Sequence, residues 1–225
     1  MPLTRYGLRE WLVITVVCVA VAAVAAWLSW WWWIVGVALV WLALVAFFRD
    51  PIRRVPTDLA PGAMLSPADG VVSKVFSVDA HEAVGGGPAT VVRIFLSVLD
   101  VHVNRSPCDG EVTSLVHRPG RYLDARREES AKVNESNLVT LLAPWGDPVG
   151  VRQVSGAIAR RIVCPLQIGD RVRRGQRFGM IKFGSTTELI LPHPERVTVL
   201  VREGQRVKGG LTLLAELALG PAAAT

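Results

Sequence analysis

The stretch from Lys182 to Pro192, KFGSTTELILP, places Gly184 directly before Ser185 and two further hydroxyls, Thr186 and Thr187, directly after it. A serine hydroxyl is a nucleophile only where a base and a donor for the resulting oxyanion lie close by. Alone, the Gly-Ser pair reads as a tight turn, because both residues are ordinary turn formers. Its meaning rests on what the fold brings to it. Four histidines, at positions 81, 102, 117 and 193, are too scattered to hold a metal by spacing. Cys18, Cys108 and Cys164 form no C-x-x-C pair and are odd in number, so neither a disulfide framework nor a zinc knuckle is expected. A reducing compartment is the simpler reading.

The elements that must carry these residues are short. After "RDPIRRVP", β-branched runs separated by Gly, Pro and Asp fill 70–78, 90–98, 110–117, 137–144, 149–156, 177–183, 188–192 and 196–201. This spacing predicts a mainly β (β-rich α+β) sandwich or barrel-like domain, with helical turns at 157–163 and around 121–132. Two internal echoes support it. "SPADGVVSKV" from Ser66 returns as "SPCDGEVTSLV" from Ser106, and "IGDRVRRGQRFGMI" (168–181) returns loosely as "REGQRVKGGLTLLAEL" (202–217). The repeated Gly-(Asp/Gln)-x-Val-x-x-Gly suits a β-turn leading into a strand, with glycine at positive φ. Such hairpins are similar to those of lipoyl and biotinyl carrier domains. A membrane-anchored carrier or adaptor is therefore one functional reading, and it needs Lys182 exposed at a hairpin tip.

The net charge of +6 fits either nucleic acid or an anionic membrane. The N-terminus decides for the membrane. Residues 11–48 carry no charge, and as one helix they would be roughly 57 Å long, nearly twice a bilayer core. Two helices of about 17 residues broken near the Trp30–Trp33 run fit better, with the tryptophans at an interface. Arg5 and Arg9 precede the run, and Arg49, Arg53 and Arg54 follow it. Positive flanks on both sides place both chain ends in the cytoplasm. The expected organisation is a membrane helical hairpin over 1–48 and a cytoplasmic domain over 49–225.

Read in order, "FFRDPIRRVP", "LSPADGVV", "FLSVLDVHVNRSPCDG", "VNESN", "QVSGAIARRIV" and "FGST" run through residues 47–186. That succession resembles the shorter phosphatidylserine decarboxylase proenzymes. The resemblance implies that Ser185 Oγ attacks the Gly184 carbonyl, turning amide into ester. β-Elimination then leaves dehydroalanine, which hydrolyses to a pyruvoyl group and ammonia. The products are a β chain, 1–184, and an α chain, 185–225, that stay associated. The pyruvoyl ketone is the electron sink that other decarboxylases obtain from pyridoxal phosphate. Glycine lets the scissile peptide bend toward the hydroxyl.

The resemblance also assigns roles. Asp69 matches the aspartate of the self-processing machinery, and His102 the first of two histidines three apart; Arg105 stands where the second would fall. His102 could take the serine proton or later protonate the substrate carbanion. Thr186 and Thr187 could supply donors, or simply favour the start of a strand. Asn134, Glu135 and Asn137 match a substrate-binding segment, in which Ser136 replaces the usual arginine. Arg160 and Arg161 could pair with the lipid phosphate, or form a solvated basic face. The implied activity is decarboxylation of phosphatidylserine to phosphatidylethanolamine at the cell membrane. No metal and no nucleic acid is implied. A pyruvoyl decarboxylase for a soluble amino acid would give no reason for the apolar hairpin.

Overall fold

The computed structural model describes residues 2–157, 161–182 and 184–219, in two units, Met1–Ile52 and Arg53–Thr225. In the first unit, α1 (Leu8–Trp27) and α2 (Trp31–Ala46) form a hairpin. The chain reverses at Ser29, a non-glycine residue at φ +57. At the open end, Thr4 N–H donates to Phe48 O (2.8 Å) and Asp50 N–H to Pro2 O (2.9 Å). Within the hairpin, Trp41 Nε1 donates to Thr15 Oγ1 (3.0 Å). Beyond Arg9 and Glu10 in the first turn of α1, both helices are apolar on all sides, the pattern of a segment surrounded by protein or lipid. One helix, Arg5–Trp27 with its leading 3-10 turn, is long and apolar enough to cross a membrane; α2 is shorter.

The second unit is mainly β. Its strands are β1 (Ala63–Leu65), β2 (Gly70–Val78), β3 (Ala89–Leu96), β4 (Val103–Arg105), β5 (Gly110–Arg118), β6 (Ser136–Leu142) and β7 (Pro148–Val154). They continue with β8 (Ile162–Val163), β9 (Arg171–Val172), β10 (Arg177–Ile181), β11 (Ser185–Pro192), β12 (Val197–Val199), β13 (Arg206–Val207) and β14 (Leu213–Leu217). A short helix, α3 (Ser130–Val133), precedes β6. An eight-stranded sheet runs β13-β2-β3-β11-β7-β6-β5-β9, beside two three-stranded sheets, β1-β14-β12 and β4-β10-β8.

That order reads the same from either end about an axis between β11 and β7. The sequence echoes sit on matching strands. Ser66 Oγ donates to Ala68 O (2.6 Å) as Ser106 Oγ does to Cys108 O (2.7 Å). Gly210 N–H donates to Ser66 O as Gly175 N–H does to Ser106 O, both at 2.8 Å. The second repeat is contiguous through the β6–β7 hairpin. In the first repeat, the corresponding β3–β11 hairpin is interrupted by the whole of the second. Ser185 pairs with Leu96 as a hairpin's first residue would, although 88 residues lie between them. The Gly184–Ser185 bond therefore stands where the matching hairpin has its turn.

Alternation along β11 divides its side chains between two faces. Leu189 and Leu191 join Val92, Ile94, Leu96 and Val151 in the main core, whereas Ile190 joins Ala89, Val91 and Leu138 in a smaller cluster. Ser185 and Thr187 thus belong to the core face, and Thr186 and Glu188 to the other. Two expectations are corrected here. Within 157–163, residues 162–163 pair with β10 as a strand instead of forming a helical turn, while 158–160 lie outside the described residues. Lys182, needed at an exposed tip by the carrier reading, is 6% exposed at the end of β10. A buried amine cannot present an acyl group to another enzyme, so the carrier reading falls.

Candidate active site

Gly184 has φ +61, a conformation that glycine alone adopts without strain. Its N–H donates to Nε2 of His102 across 3.1 Å. The other ring nitrogen, Nδ1, lies 2.9 Å from the carbonyl oxygen of Asp100. A carbonyl only accepts, so Nδ1 carries the proton and Nε2 presents its lone pair to Gly184. His102 is completely buried. Ser185 is buried as well, and its Oγ has no hydrogen-bond partner among the described residues.

Asp100 holds this histidine through a pinned loop. Its Oδ2 accepts from Ser97 N–H (2.9 Å) and Ser97 Oγ (2.7 Å), and its Oδ1 lies 3.3 Å from Arg206. The loop leaves Val98 and Leu99 exposed at its tip. A cavity of about 350 Å³ opens beside it, lined by Phe95, Ser97, Val98, Asp124, Ala125, Arg126, Ala157 and Gly184. Arg126 pairs with Asp124 through Nε and Nη2, holding its carboxyl down at about 2, and this exposed ion pair forms part of the wall.

Asp69 is placed differently. Its two oxygens accept from Arg53 Nη1 (2.6 Å) and Nη2 (2.7 Å), and Oδ1 also accepts from Gly209 N–H (2.8 Å). The repeat shows how much of this is architecture: Asp109, in the matching turn, accepts from Arg174 N–H at 2.9 Å. The bidentate arginine distinguishes Asp69. Arg105, at the place of a second histidine, is buried; its N–H donates to Pro67 O and its Nη1 to Gly175 O, tying together the paired turns. The cysteine of the matching turn is inert, since burial pushes the Cys108 thiol up to about 12.

Of the substrate-contact candidates, Asn134 is committed within the protein. Its Oδ1 accepts from Leu123 N–H (2.8 Å), and its Nδ2 donates to Leu123 O (2.9 Å) and Ser155 O (2.8 Å). It thereby positions the loop that carries Asp124, Ala125 and Arg126. Glu135 lies 3.7 Å from His117 Nε2 on one side, while its buried Oε2 has no partner among the described residues. Arg161 is exposed, and its carbonyl accepts from Lys182 N–H. Arg160 lies outside the described residues. Thr186 reaches Ala125 O at 3.5 Å, and Thr187 Oγ1 accepts from Asn104 Nδ2 at 3.0 Å.

Three features were not singled out from the sequence. A buried amide chain runs from Thr187 through Asn104 to Gln153 (2.9 Å) and Asn137 (3.0 Å), fixing the strand after His102 against β11. On the opposite face, Glu188 sits between Arg93 (2.8 Å) and Arg152 (3.4 Å). Gly156 lies so close to Gly184 that an added Cβ would stand 2.1 Å from its carbonyl oxygen. The Gly in "QVSGAIARR" was a visible signal; Asn104, Asn137 and Gln153 also stood in quoted motifs, but their joining into one chain was not visible, because they meet only across strands.

A mainly β domain with this buried serine–histidine site, preceded by an apolar helix, belongs to the class of decarboxylase proenzymes, as the comparisons show. The family model for phosphatidylserine decarboxylase matches residues 42–215. The chain is similar to phosphatidylserine decarboxylase proenzymes of Rhodopirellula baltica (42% identical, over 98% of this chain and 90% of that one) and Carboxydothermus hydrogenoformans (42%, over 96% and 98%). A third, from Granulibacter bethesdensis, is 47% identical over 88% of this chain and 80% of that one. The chain belongs to the phosphatidylserine decarboxylase family.

Proposed function

We propose that the protein converts phosphatidylserine to phosphatidylethanolamine at a pyruvoyl group formed from its own Ser185 by scission of the Gly184–Ser185 bond. The observation that carries this reading is the hydrogen bond from Gly184 N–H to His102 Nε2, beside a buried Ser185 hydroxyl with no partner among the described residues. Gly184 at positive φ turns the scissile peptide, and His102 is the base that receives the Ser185 proton. Asp69 acts from the next turn, holding Arg53 and the Gly209 backbone in place.

After scission, the pyruvoyl ketone supplies the electron sink for decarboxylation. His102 stays beside the N-terminus of the 185–225 chain, where its imidazole holds and returns a proton at the substrate Cα. The cavity between Ser97, Asp124 and Arg126 receives the headgroup, and Arg160 and Arg161 are the proposed cations for its phosphate. Glu135 contributes its unpaired oxygen, and Asn134 holds the loop. Residues 1–48 anchor the enzyme in the cell membrane, with domain 49–225 on the cytoplasmic side, and the cleaved chains remain associated through the β11 pairing with β3 and β7. Intact mass under denaturing conditions, followed by assay on phosphatidylserine vesicles, tests the reading. Two fragments and phosphatidylethanolamine are expected; one uncleaved active chain would exclude it.

A further inference from the structure

The β11–β7 ladder pairs Thr187 with Gln153 and ends with Thr186 against Val154. Continued by one residue, that register would set Ser185 opposite Ser155. Ser155 is still extended at this point, because its N–H donates to Glu135 O (2.9 Å) and continues the β6–β7 ladder. Side chains alternate along a strand, so Ser155 shares the face of Gln153, Thr187 and Ser185. Residues directly opposite on one face have Cβ atoms about 4.5–5.5 Å apart.

Two observations show that this neighbour is more than packing. Ser155 is completely buried, yet its Oγ has no hydrogen-bond partner among the described residues, as is true of Ser185. A buried hydroxyl left unpaired is destabilising, and such groups call for an explanation. The following residue, Gly156, would bring a Cβ within 2.1 Å of Gly184 O and 3.0 Å of Gly184 C. Gly156, the residue after Ser155, therefore lies directly against the carbonyl under attack.

We propose that Ser155 is a catalytic residue of self-processing, its hydroxyl donating to the oxyanion that forms on Gly184 O; this rests on Gly184–Ser185 being the scissile bond. As Ser185 Oγ bonds to Gly184 C, the Gly184 N–H releases His102 Nε2, the serine proton passes to that nitrogen, and the carbonyl electron pair moves onto Gly184 O. Ser155 O–H donates to that oxygen. On collapse, the C–O double bond re-forms, the Gly184 C–Ser185 N bond breaks, and the proton passes from His102 to the departing nitrogen. Ser155 is unchanged at the end.

The test is pulse-labelled synthesis of the full chain with phospholipid vesicles, timing the appearance of the 185–225 fragment. Ser155→Ala is expected to slow it on the order of 100-fold, the effect of removing one oxyanion donor. Ser155→Cys, nearly isosteric but a weaker donor, is expected to fall between. Thermal midpoints of uncleaved Ser155→Ala and uncleaved Ser185→Ala separate chemistry from structure: a donor role leaves the first at least as stable as the second. Fragment release by Ser155→Ala at the wild-type rate overturns the proposal. So does slow release with a midpoint below that of Ser185→Ala. If the wild-type chain is not cut between Gly184 and Ser185, it is the underlying reading that fails.

Discussion

The N–H of Gly184 and Nε2 of His102 lie 3.1 Å apart, joining the residue before the candidate scissile bond to an imidazole 82 positions away. Because Asp100 O fixes the tautomer from the other side, Nε2 is the basic nitrogen of His102, and its lone pair is held by the Gly184 N–H until it is released to take a proton. His102→Ala should therefore affect two steps. Release of the 185–225 fragment should slow, and turnover per processed molecule should fall by 10²- to 10⁴-fold, the usual contribution of a general acid–base group. Timed gels and product assays normalised to the processed fraction read the two separately. Normal turnover in the processed variant would remove His102 from the decarboxylation step.

Gly156→Ala should block processing. The added methyl has no room beside Gly184 O, so the Gly184 carbonyl or the Gly156 backbone must shift. Gly87→Ala is the control, since its nearest new contact is an ordinary 3.6 Å. At least a tenfold loss of scission is expected in the first and none in the second. Equal rates in both would show that the close approach has no bearing on the reaction.

Asp69→Asn should cost more stability than Asp109→Asn. The first breaks a pair whose arginine side chain is 6% exposed, leaving a buried guanidinium uncompensated at a cost of about 3 kcal/mol. The second weakens one acceptor in an exposed turn, worth about 1 kcal/mol. Denaturant unfolding of both, in the uncleaved Ser185→Ala background, measures the difference. Similar losses would mean that the Arg53 pair adds nothing to the shared turn.

Glu188→Gln should destabilise the domain without touching the site directly. Arg93 and Arg152 would share a half-buried space with no carboxylate, costing about 3 kcal/mol and roughly 6–12 °C in thermal midpoint. A melt unchanged within a degree would contradict this.

Much of the domain was legible locally. The run 70–78 is β2 to the residue, because its Gly start, β-branched content and flanking turns all agree. The short strands β1, β4, β8, β9 and β13 were not legible: two or three residues give no periodicity, and each forms only where a longer strand supplies a partner. The Ser66 and Ser106 echoes were visible, but not that one repeat is inserted into the other. That insertion extends β11 back to Ser185, where the Gly-Ser-Thr-Thr stretch suggested a turn. Ser185, Gly184 and His102 were readable as a set through motif order, and the structure brings them together. Asp69 and Asn134 were equally readable as motif residues, but only tertiary contacts show what each bonds: Asp69 the Arg53 side chain and Gly209 N–H, Asn134 the backbone of Leu123 and Ser155. Ser155 and Gly156 owe their place to strand register, which no local pattern encodes.

The most direct measurement is the intact mass of the purified chain and of its Ser185→Ala variant, under denaturing conditions. Scission between Gly184 and Ser185 gives a 41-residue fragment, 185–225, of about 4.4 kDa at the chain's mean residue mass. This fragment should resist stepwise N-terminal degradation, having no free amine, and should retain lipid when borohydride is added with phosphatidylserine. Ser185→Ala should remain whole at 24.4 kDa and be inactive, having lost the nucleophile. An uncleaved wild-type chain that still releases carbon dioxide from phosphatidylserine, or a Ser185→Ala variant that does so, would contradict the account at its centre.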